Sequence, residues 1–416
     1  MELNLGYKQT EAGVIPEEWQ ISYVGVEFDI KLGKMLDAEK NIGVPKLYLG
    51  NRAVQWGKID ISDLASVRLS HSDLSRFRLK KGDLLVCEGG EVGRAAIWEA
   101  PLPECYYQKA LHRLRPIKKY DPLLMLYVLM YWSDRGKLTN YVTQTSIAHL
   151  TREKFEVVPL LLPPLPEQRA IAAALSDMDA LLAAQDQLIA KKRDIKQAVM
   201  QQLLTGKQRL PGFSGEWEVK RLGEIGEIAG AGIDKKIRPN EVSVRLVNYL
   251  DVYRKDFITS QDLHHFVTAT PIQASRCRVR KGDVFFTPSS EVRDDIAHSA
   301  VAMENIPDAV YSYHVIRLRP SDDWDLRFRA YAFKTKRFFD QAHMLCDGSG
   351  TRYVISQGKF RAMTVLVPPI PEQSSIAAVL SDIDAEIDAL QQRRDKTQML
   401  KQGMMQELLT GRTRLV

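Results

Sequence analysis

Apolar residues recur along two stretches of the chain in steps of four and three. The first stretch runs Ile171, Leu175, Met178, Leu182; the second runs Ile376, Leu380, Ile383, Ile387, Leu390. That rhythm is the seam of an amphipathic helix packed on another helix. Pro166 suits a first helical turn, where its missing N–H costs nothing, and Glu167 suits the positive end of the helix dipole. Gly206 and Gly411 follow matching "LLT" runs and suit the position just past a helix end. The pattern predicts one helix of about 39 residues in each stretch, roughly 60 Å long. Beyond Leu390 the register slips: Arg394 and Thr397 fall where apolar residues are due, and Met404 and Leu408 resume the stripe.

The remaining chain alternates short β-like runs with turn signals, as in "GDLLVCEGG", "GRAAIW", "GDVFFTP" and "HSAVAM". Helical patterns follow in "DPLLMLYVLMYW" and "DLRFRAYAFKTKRFFD". The two halves of the chain echo one another. Residues 163–210 align without gaps on 368–415 with 26 identities in 48 positions. Weaker echoes keep the same order upstream: Trp19 with Trp217, "RFRLKKGDLLV" with "RCRVRKGDVFF", "HRLRP" with "VIRLRP", Lys154-Phe155 with Lys359-Phe360. The expected class is therefore α+β: two mixed α/β domains joined by two long antiparallel helices, with an internal pseudo-twofold repeat. The expected boundaries are 1–157 for the first domain, 158–210 for the central helix region, 211–362 for the second domain and 363–416 for the C-terminal helix region.

The antiparallel direction follows from the connection. About ten residues separate Gly206 from Trp217. The domain between the two helices, of about 155 residues, has a radius of gyration near ~15 Å, far short of a ~60 Å helix. The second helix must therefore start near the end of the first.

Composition narrows the picture without deciding it. At 416 residues the chain exceeds the size of one core. It carries 45% hydrophobic and 26% charged residues and a net charge of +6, spread along its length. That charge permits a nucleic-acid partner and does not prove one. Cys87, Cys105, Cys277 and Cys346 show no metal or redox spacing and read as reduced thiols. No apolar run approaches the ~20 residues of a membrane span, and the expected location is cytoplasmic. No phosphate-binding loop, dinucleotide fingerprint, HExxH or amino-methyltransferase motif occurs. His264-His265 reads as a surface pair.

Candidate contacts cluster in loops that echo between halves. "GGEVGR" ends on Arg94 and reads either as a hairpin turn or as close backbone approach to a ligand. "YYQK" supplies Tyr107, Gln108 and Lys109; "YSYH" supplies Tyr313 and His314. These suit base edges, or equally a buried aromatic pair. "TQTSIAHLTREK" contains Gln144 and Arg152, "SSEVRDDIAHSA" contains Ser289 and Arg293, and "DGSGTRYVISQGK" contains Arg352 and Gln357. Such residues bond to phosphates and base edges, although a polar surface loop needs no ligand. Arg76, Arg78, Lys80 and Arg276, Arg278, Arg280 alternate before a Lys-Gly-Asp turn and read as a strand face, solvated or lying along phosphates.

The order globular region, "PPLPEQ…LSDMDALL…LLTG", globular region, "PPIPEQ…LSDIDAEI…LLTG" resembles the specificity subunits of type I restriction-modification systems over essentially the whole chain. "GEVGRAAIW…YYQKALHRLRP" resembles that family's target-recognition pattern, from which "SSEVRDDIAHSA" departs. The resemblance implies that each globular region reads one half of a bipartite double-stranded DNA site. It implies that the helices dock two modification (methyltransferase) subunits, with Ile171, Leu175, Leu182, Ile376, Leu380 and Ile387 serving the helix pair and docking. Restriction subunits would complete the assembly. It further implies no catalysis and no cofactor in this chain: S-adenosylmethionine would belong to the modification subunits, ATP and Mg²⁺ to the restriction subunits. Two other readings stand beside it. A nuclease would use Asp83 and Glu91, or Asp283 and Glu291, as metal ligands. A coiled-coil scaffold would leave the two divergent domains unexplained.

Overall fold

The computed structural model describes residues 6–10, 13–37, 39, 41–144, 148–230 and 232–415. The chain divides into two compact units, 1–186 with 393–416 and 187–392, and both boundaries fall inside a long helix. The helices Leu165–Leu203 and Ile370–Leu408 are each 39 residues long. In each unit the start of one helix therefore lies with the end of the other. Within the first unit they run antiparallel, since Asp179 meets Lys401 and Asp186 meets Arg394. The second unit shows the same sense, with Lys192 on Glu386 and Lys196 on Asp384. The register slip has a polar cause: Thr397 is buried and accepts a hydrogen bond from Gln185 Nε2 at 3.2 Å.

The first unit centres on an antiparallel sheet ordered Ala95–Trp98, Asp83–Cys87, Leu111–Pro116, Phe28–Leu32. In the second unit the corresponding strands are Ser299–Ala302, Val284–Phe286, Ile316–Pro320 and Gly226–Ala229, with Phe257–Ile258 added in parallel at one edge. Strands such as Asp83–Cys87 are buried at every position, which explains their continuous apolar runs. A second sheet in each unit carries Val44–Leu49 or Val242–Val247. The helix Pro122–Asp134 matches its apolar pattern. The corresponding pattern in the second unit splits into Phe328–Ala332 and Lys336–Leu345, because Thr335 caps the second piece through Phe338 N–H.

Each unit closes with a short strand pair: Gln20–Tyr23 with Pro159–Leu162, and Glu218–Arg221 with Thr364–Val367. These feed the long helices. Ile171 and Leu175 pack into the first globular core beside Trp19, Leu160 and Leu408. Ile376 and Leu380 do the same beside Leu203, Val365 and Tyr331. Gly206 and Gly411 take φ +69° and +72°, and a Cβ on Gly411 would come within 2.5 Å of Pro16. Side-chain size and backbone conformation both demand glycine there.

Two sequence expectations fail locally. Arg76, Arg78 and Lys80 do not share a strand: Arg76 ends the helix His71–Arg76, and Arg78 donates to the Pro103 carbonyl at 3.2 Å. In the second copy Arg276 ends the helix Pro271–Arg276 and only Arg278 enters a strand, of two residues. The capping boxes formed by Ser70 and Thr270 start helices where the basic alternation predicts a strand.

Candidate functional site

The repeated Pro-Glu-Gln is a pair of locks. Glu167 is fully buried and accepts from Trp19 Nε1 at 2.9 Å and from Arg414 Nε and Nη2 at 2.6 and 2.9 Å. Glu372 accepts from Trp217 Nε1 at 3.0 Å and from Arg209 Nε and Nη2 at 2.5 and 2.6 Å. Gln168 Nε2 donates to the Pro163 carbonyl at 2.8 Å, and its Oε1 accepts from Asp121 N–H. Gln373 repeats both bonds with Pro368 and Asp325. One motif thus ties a helix start to the globular core and to the far end of the other helix. A second tie adds Tyr127 on Asp179 at 2.8 Å and Tyr331 on Asp384 at 2.7 Å, under Lys401 and Lys196 respectively. Sequence reasoning missed these partners, although the same residue types recur in both copies.

Three of the four carboxylates that a nuclease would use, Asp83, Asp283 and Glu91, are engaged within the chain. Asp83 is buried and held by Arg115 through two bonds of 2.7 Å and by Lys80 N–H at 2.8 Å. Asp283 is held by Arg319 at 2.7 and 2.8 Å and by Arg280 N–H. Glu91 accepts from Trp56 at 2.6 Å and Arg94 at 3.1 Å. Carboxylates saturated by cations are structural ion pairs. Among the described residues no three His, Cys, Asp or Glu groups converge as a metal site.

Most loop candidates lie at one end of the sheet strands, past Cys87 and before Ala95 and Leu111 in the first unit, and past Phe286 and before Ser299 and Ile316 in the second. In the first unit residues 89–94 form a hairpin turn, with Cys87 N–H on the Arg94 carbonyl. Gly89 bridges to His149, and a Cβ there would meet the imidazole at 3.0 Å. Arg94 is engaged inside the unit: Nη1 donates to Glu91 in its own loop at 3.1 Å and Nη2 to the Asn51 carbonyl at 3.0 Å. Lys109 is exposed and Gln108 half-buried. Arg152 is exposed and paired with Glu156 at 2.7 Å. Gln144 lies in the strand Thr143–Gln144, and its side chain is outside the described residues.

Tyr107 is a correction. Its ring is completely buried, its hydroxyl donates to the Lys31 carbonyl, and burial pushes it up to about 12. A base contact is closed to it. Backbone pairing explains the misreading. Tyr107 accepts from Lys34 N–H as buried Tyr311 accepts from Ile233 N–H. So "YYQK" and "YSYH" align with Lys109 opposite Tyr313. Gly33 and Gly232 permit this approach, since a Cβ at either would fall within 2.5 Å of the tyrosine-side carbonyls.

In the second unit Ser289–Ser290 pairs with Arg352–Val354, which pairs with Asp347–Ser349. Arg352 is exposed and steadied by Ser289 Oγ at 3.2 Å. Arg293 is exposed, donates to the His343 carbonyl and lies 5.9 Å from the Tyr353 ring centre. Tyr313 is half-exposed against His314, whose imidazole is held below its ordinary range by burial, then by Lys235 and Arg352. A neutral imidazole both donates and accepts, as a base edge requires. Gln357 departs from the set: its Nε2 is committed to the Ile228 carbonyl at 2.9 Å.

The family model for the type I restriction modification DNA specificity domain matches residues 16–191 and 214–398, once per half. The chain belongs to that family. It is similar to a putative type I restriction enzyme specificity subunit of Methanocaldococcus jannaschii, MjaX, at 23% identity over 98% of this chain and 97% of the relative. The EcoKI specificity subunit of Escherichia coli K12 matches at 22% over 96% and 89%. Among solved structures, a chain from a study of assembly and conformational transition in a type I restriction-modification system superposes with TM-score 0.64 at 18% identity, covering 96% of this chain and 99% of that one. The specificity subunit from M. genitalium gives 0.53 at 16%, covering 98% of each. These structures share the fold.

For a type I specificity subunit the helix surfaces then matter as much as the loops. Ile171, Leu175, Leu182, Ile376, Leu380 and Ile387 are all buried. They hold the helices and globular cores together and are closed to a partner, which corrects their docking role. The exposed apolar residues lie off the seam: Leu181, Met399 and Leu400 in the first unit, Leu188, Ile195 and Ile370 in the second. No helix among the described residues is long and apolar enough to cross a membrane.

Proposed function

We propose that this specificity subunit reads an asymmetric bipartite double-stranded DNA target, one half-site per globular region, and docks the catalytic subunits of its complex. Modification (methyltransferase) subunits sit on the exposed helix faces around Leu181, Met399 and Leu400, and around Leu188 and Ile195. Restriction subunits join through that assembly. The chain contributes no catalysis and binds no cofactor; S-adenosylmethionine belongs to the modification subunits, ATP and Mg²⁺ to the restriction subunits. The complex works in the cytoplasm.

The observation that carries this reading is one scaffold used twice with two different loop surfaces. Identical locks join each globular region to the helices. The surfaces above them differ in charge and residue type, as two readers of different sequences must. Exchanging residues 1–157 for a diverged homologous region, followed by methylation mapping of the reconstituted complex, tests it. One half of the methylated motif should change and the other persist. A change in both halves overturns the two-reader assignment.

A further inference from the structure

Residues 88 and 288 occupy the same backbone position in the two units. Leu150 N–H donates to the Glu88 carbonyl at 2.8 Å, and Ile355 N–H donates to the Pro288 carbonyl at 2.8 Å. The next residue pairs with the same neighbouring strand in each case, Gly89 with His149 and Ser289 with Val354. The residues differ there: Pro288 offers neither a backbone N–H nor a hydrogen-bonding side chain, whereas Glu88 N–H donates to the Ala110 carbonyl at 2.9 Å and its side chain offers a carboxylate.

That carboxylate is partly buried. Among the described residues no donor bonds to it and no cation pairs with it within 4.0 Å. Burial raises it above the usual carboxylate range, with His149 and then Lys109 acting against that. The carboxylate oxygens reach solvent, so a donor from outside the chain can bond to them. Its place beside Gly89, Lys109 and His149, in the position that mirrors exposed Arg352 and the buried Ser289 that steadies it, gives it a ligand to wait for. An ionised carboxylate only accepts hydrogen bonds. In the major groove cytosine and adenine present amino donors, whereas guanine O6 and thymine O4 are acceptors.

We propose that Glu88 selects a base bearing an exocyclic amino group, cytosine foremost, in the half-site read by the first globular region. This rests on the two-reader function proposed above. The repulsion of guanine and thymine oxygens by the carboxylate supplies the discrimination, as well as the bond to the correct base.

The test is methylation mapping of the full complex carrying Glu88→Gln, which adds an amide donor at nearly constant shape. Preference against guanine and thymine should fall about 5- to 100-fold at one position of one half-site. All other positions should be unchanged. The melting temperature should equal or exceed that of the unaltered complex, since a desolvated charge is removed. An unchanged motif, a uniform loss of methylation or a lowered melting temperature each overturns the proposal. The parent reading is judged separately. If the unaltered complex methylates no bipartite motif, or exchanging residues 1–157 alters both halves, the two-reader function fails. An unchanged motif in Glu88→Gln with those controls intact sinks Glu88 alone.

Discussion

Glu167 and Glu372 hold the same three partners in the same geometry, an indole N–H and both nitrogens of one guanidinium edge. Elsewhere in each unit, Gly89 faces His149 while Ser289 faces Val354, and Glu88 stands where the other unit has Pro288. Such a contrast separates two jobs within one fold. Where the helices join a globular region, chemistry is fixed down to the atom, because a buried carboxylate tolerates no loss of partners. Where the surface loops meet, only the backbone is shared and the side chains vary freely. Stability and reading therefore reside in different layers and can be broken separately.

The largest effect should come from the locks. Glu167→Ala strands the Trp19 indole and the Arg414 guanidinium, and Glu372→Ala strands Trp217 and Arg209. Each should cost on the order of 3 kcal/mol, from an indole N–H left without its acceptor and a guanidinium that loses its charge-assisted bonds but still reaches solvent. Denaturant unfolding of both variants measures it. Equal costs support equivalent locks; a full cost at one site and none at the other would break the symmetry on which the comparison rests.

The helices, their length and direction, the caps at Gly206 and Gly411 and the strand runs were legible because periodicity and local signals carry them. The lock partners were not, because Trp19 and Arg414 lie far from Glu167 in sequence. Only their recurrence as Trp217 and Arg209 around Glu372 could have exposed them. Tyr107 misled because a strand buried on both faces looks like a loop rich in aromatics when its register is unknown. The docking residues misled for a related reason. The seam is the strongest apolar signal, and it is consumed inside the units, so a partner meets the weaker off-seam residues. Arg94 and Gln357 have the right residue types for DNA, but Arg94 bonds to the Glu91 carboxylate and the Asn51 carbonyl, and Gln357 bonds to the Ile228 carbonyl, partners that no sequence pattern marks.

A smaller, sharper effect should follow at the reading layer. Arg352 is exposed, and among the described residues its hydrogen bond is to Ser289 Oγ alone. Arg352→Ala should weaken recognition of the second half-site by about 1–3 kcal/mol if the guanidinium grips a guanine edge. Melting temperature should not change. Binding measured against DNA panels varied in each half, at several salt concentrations, decides the role. Loss confined to one position assigns a base contact. A uniform loss with a shallower salt slope assigns a phosphate contact. Damage to the first half-site would contradict the separation of readers.

The smallest effect lies where the two scaffolds themselves diverge. Lys401 in the first unit meets Asp179, whereas its counterpart Lys196 meets both Asp384 and Asp256, and Asp256 is also bound by Lys334. Burial alone would raise the Asp256 carboxyl, but Lys334 and Lys196 together outweigh it and hold the group below the ordinary value of 3.8. A carboxyl depressed on folding contributes stability that is complete above its unfolded value and is lost as pH falls through its folded one. Near neutrality Asp256→Asn should therefore cost on the order of 1 kcal/mol. The gap between variant and unaltered protein should begin to close as pH drops below the ordinary carboxylate value, and vanish once Asp256 is protonated in both states. Thermal unfolding from pH 7 down to the acid transition would follow it. A gap that stays constant across that range would mean that the amide is disfavoured by shape rather than by charge. The extra ion pair would then add nothing to distinguish the second unit from the first.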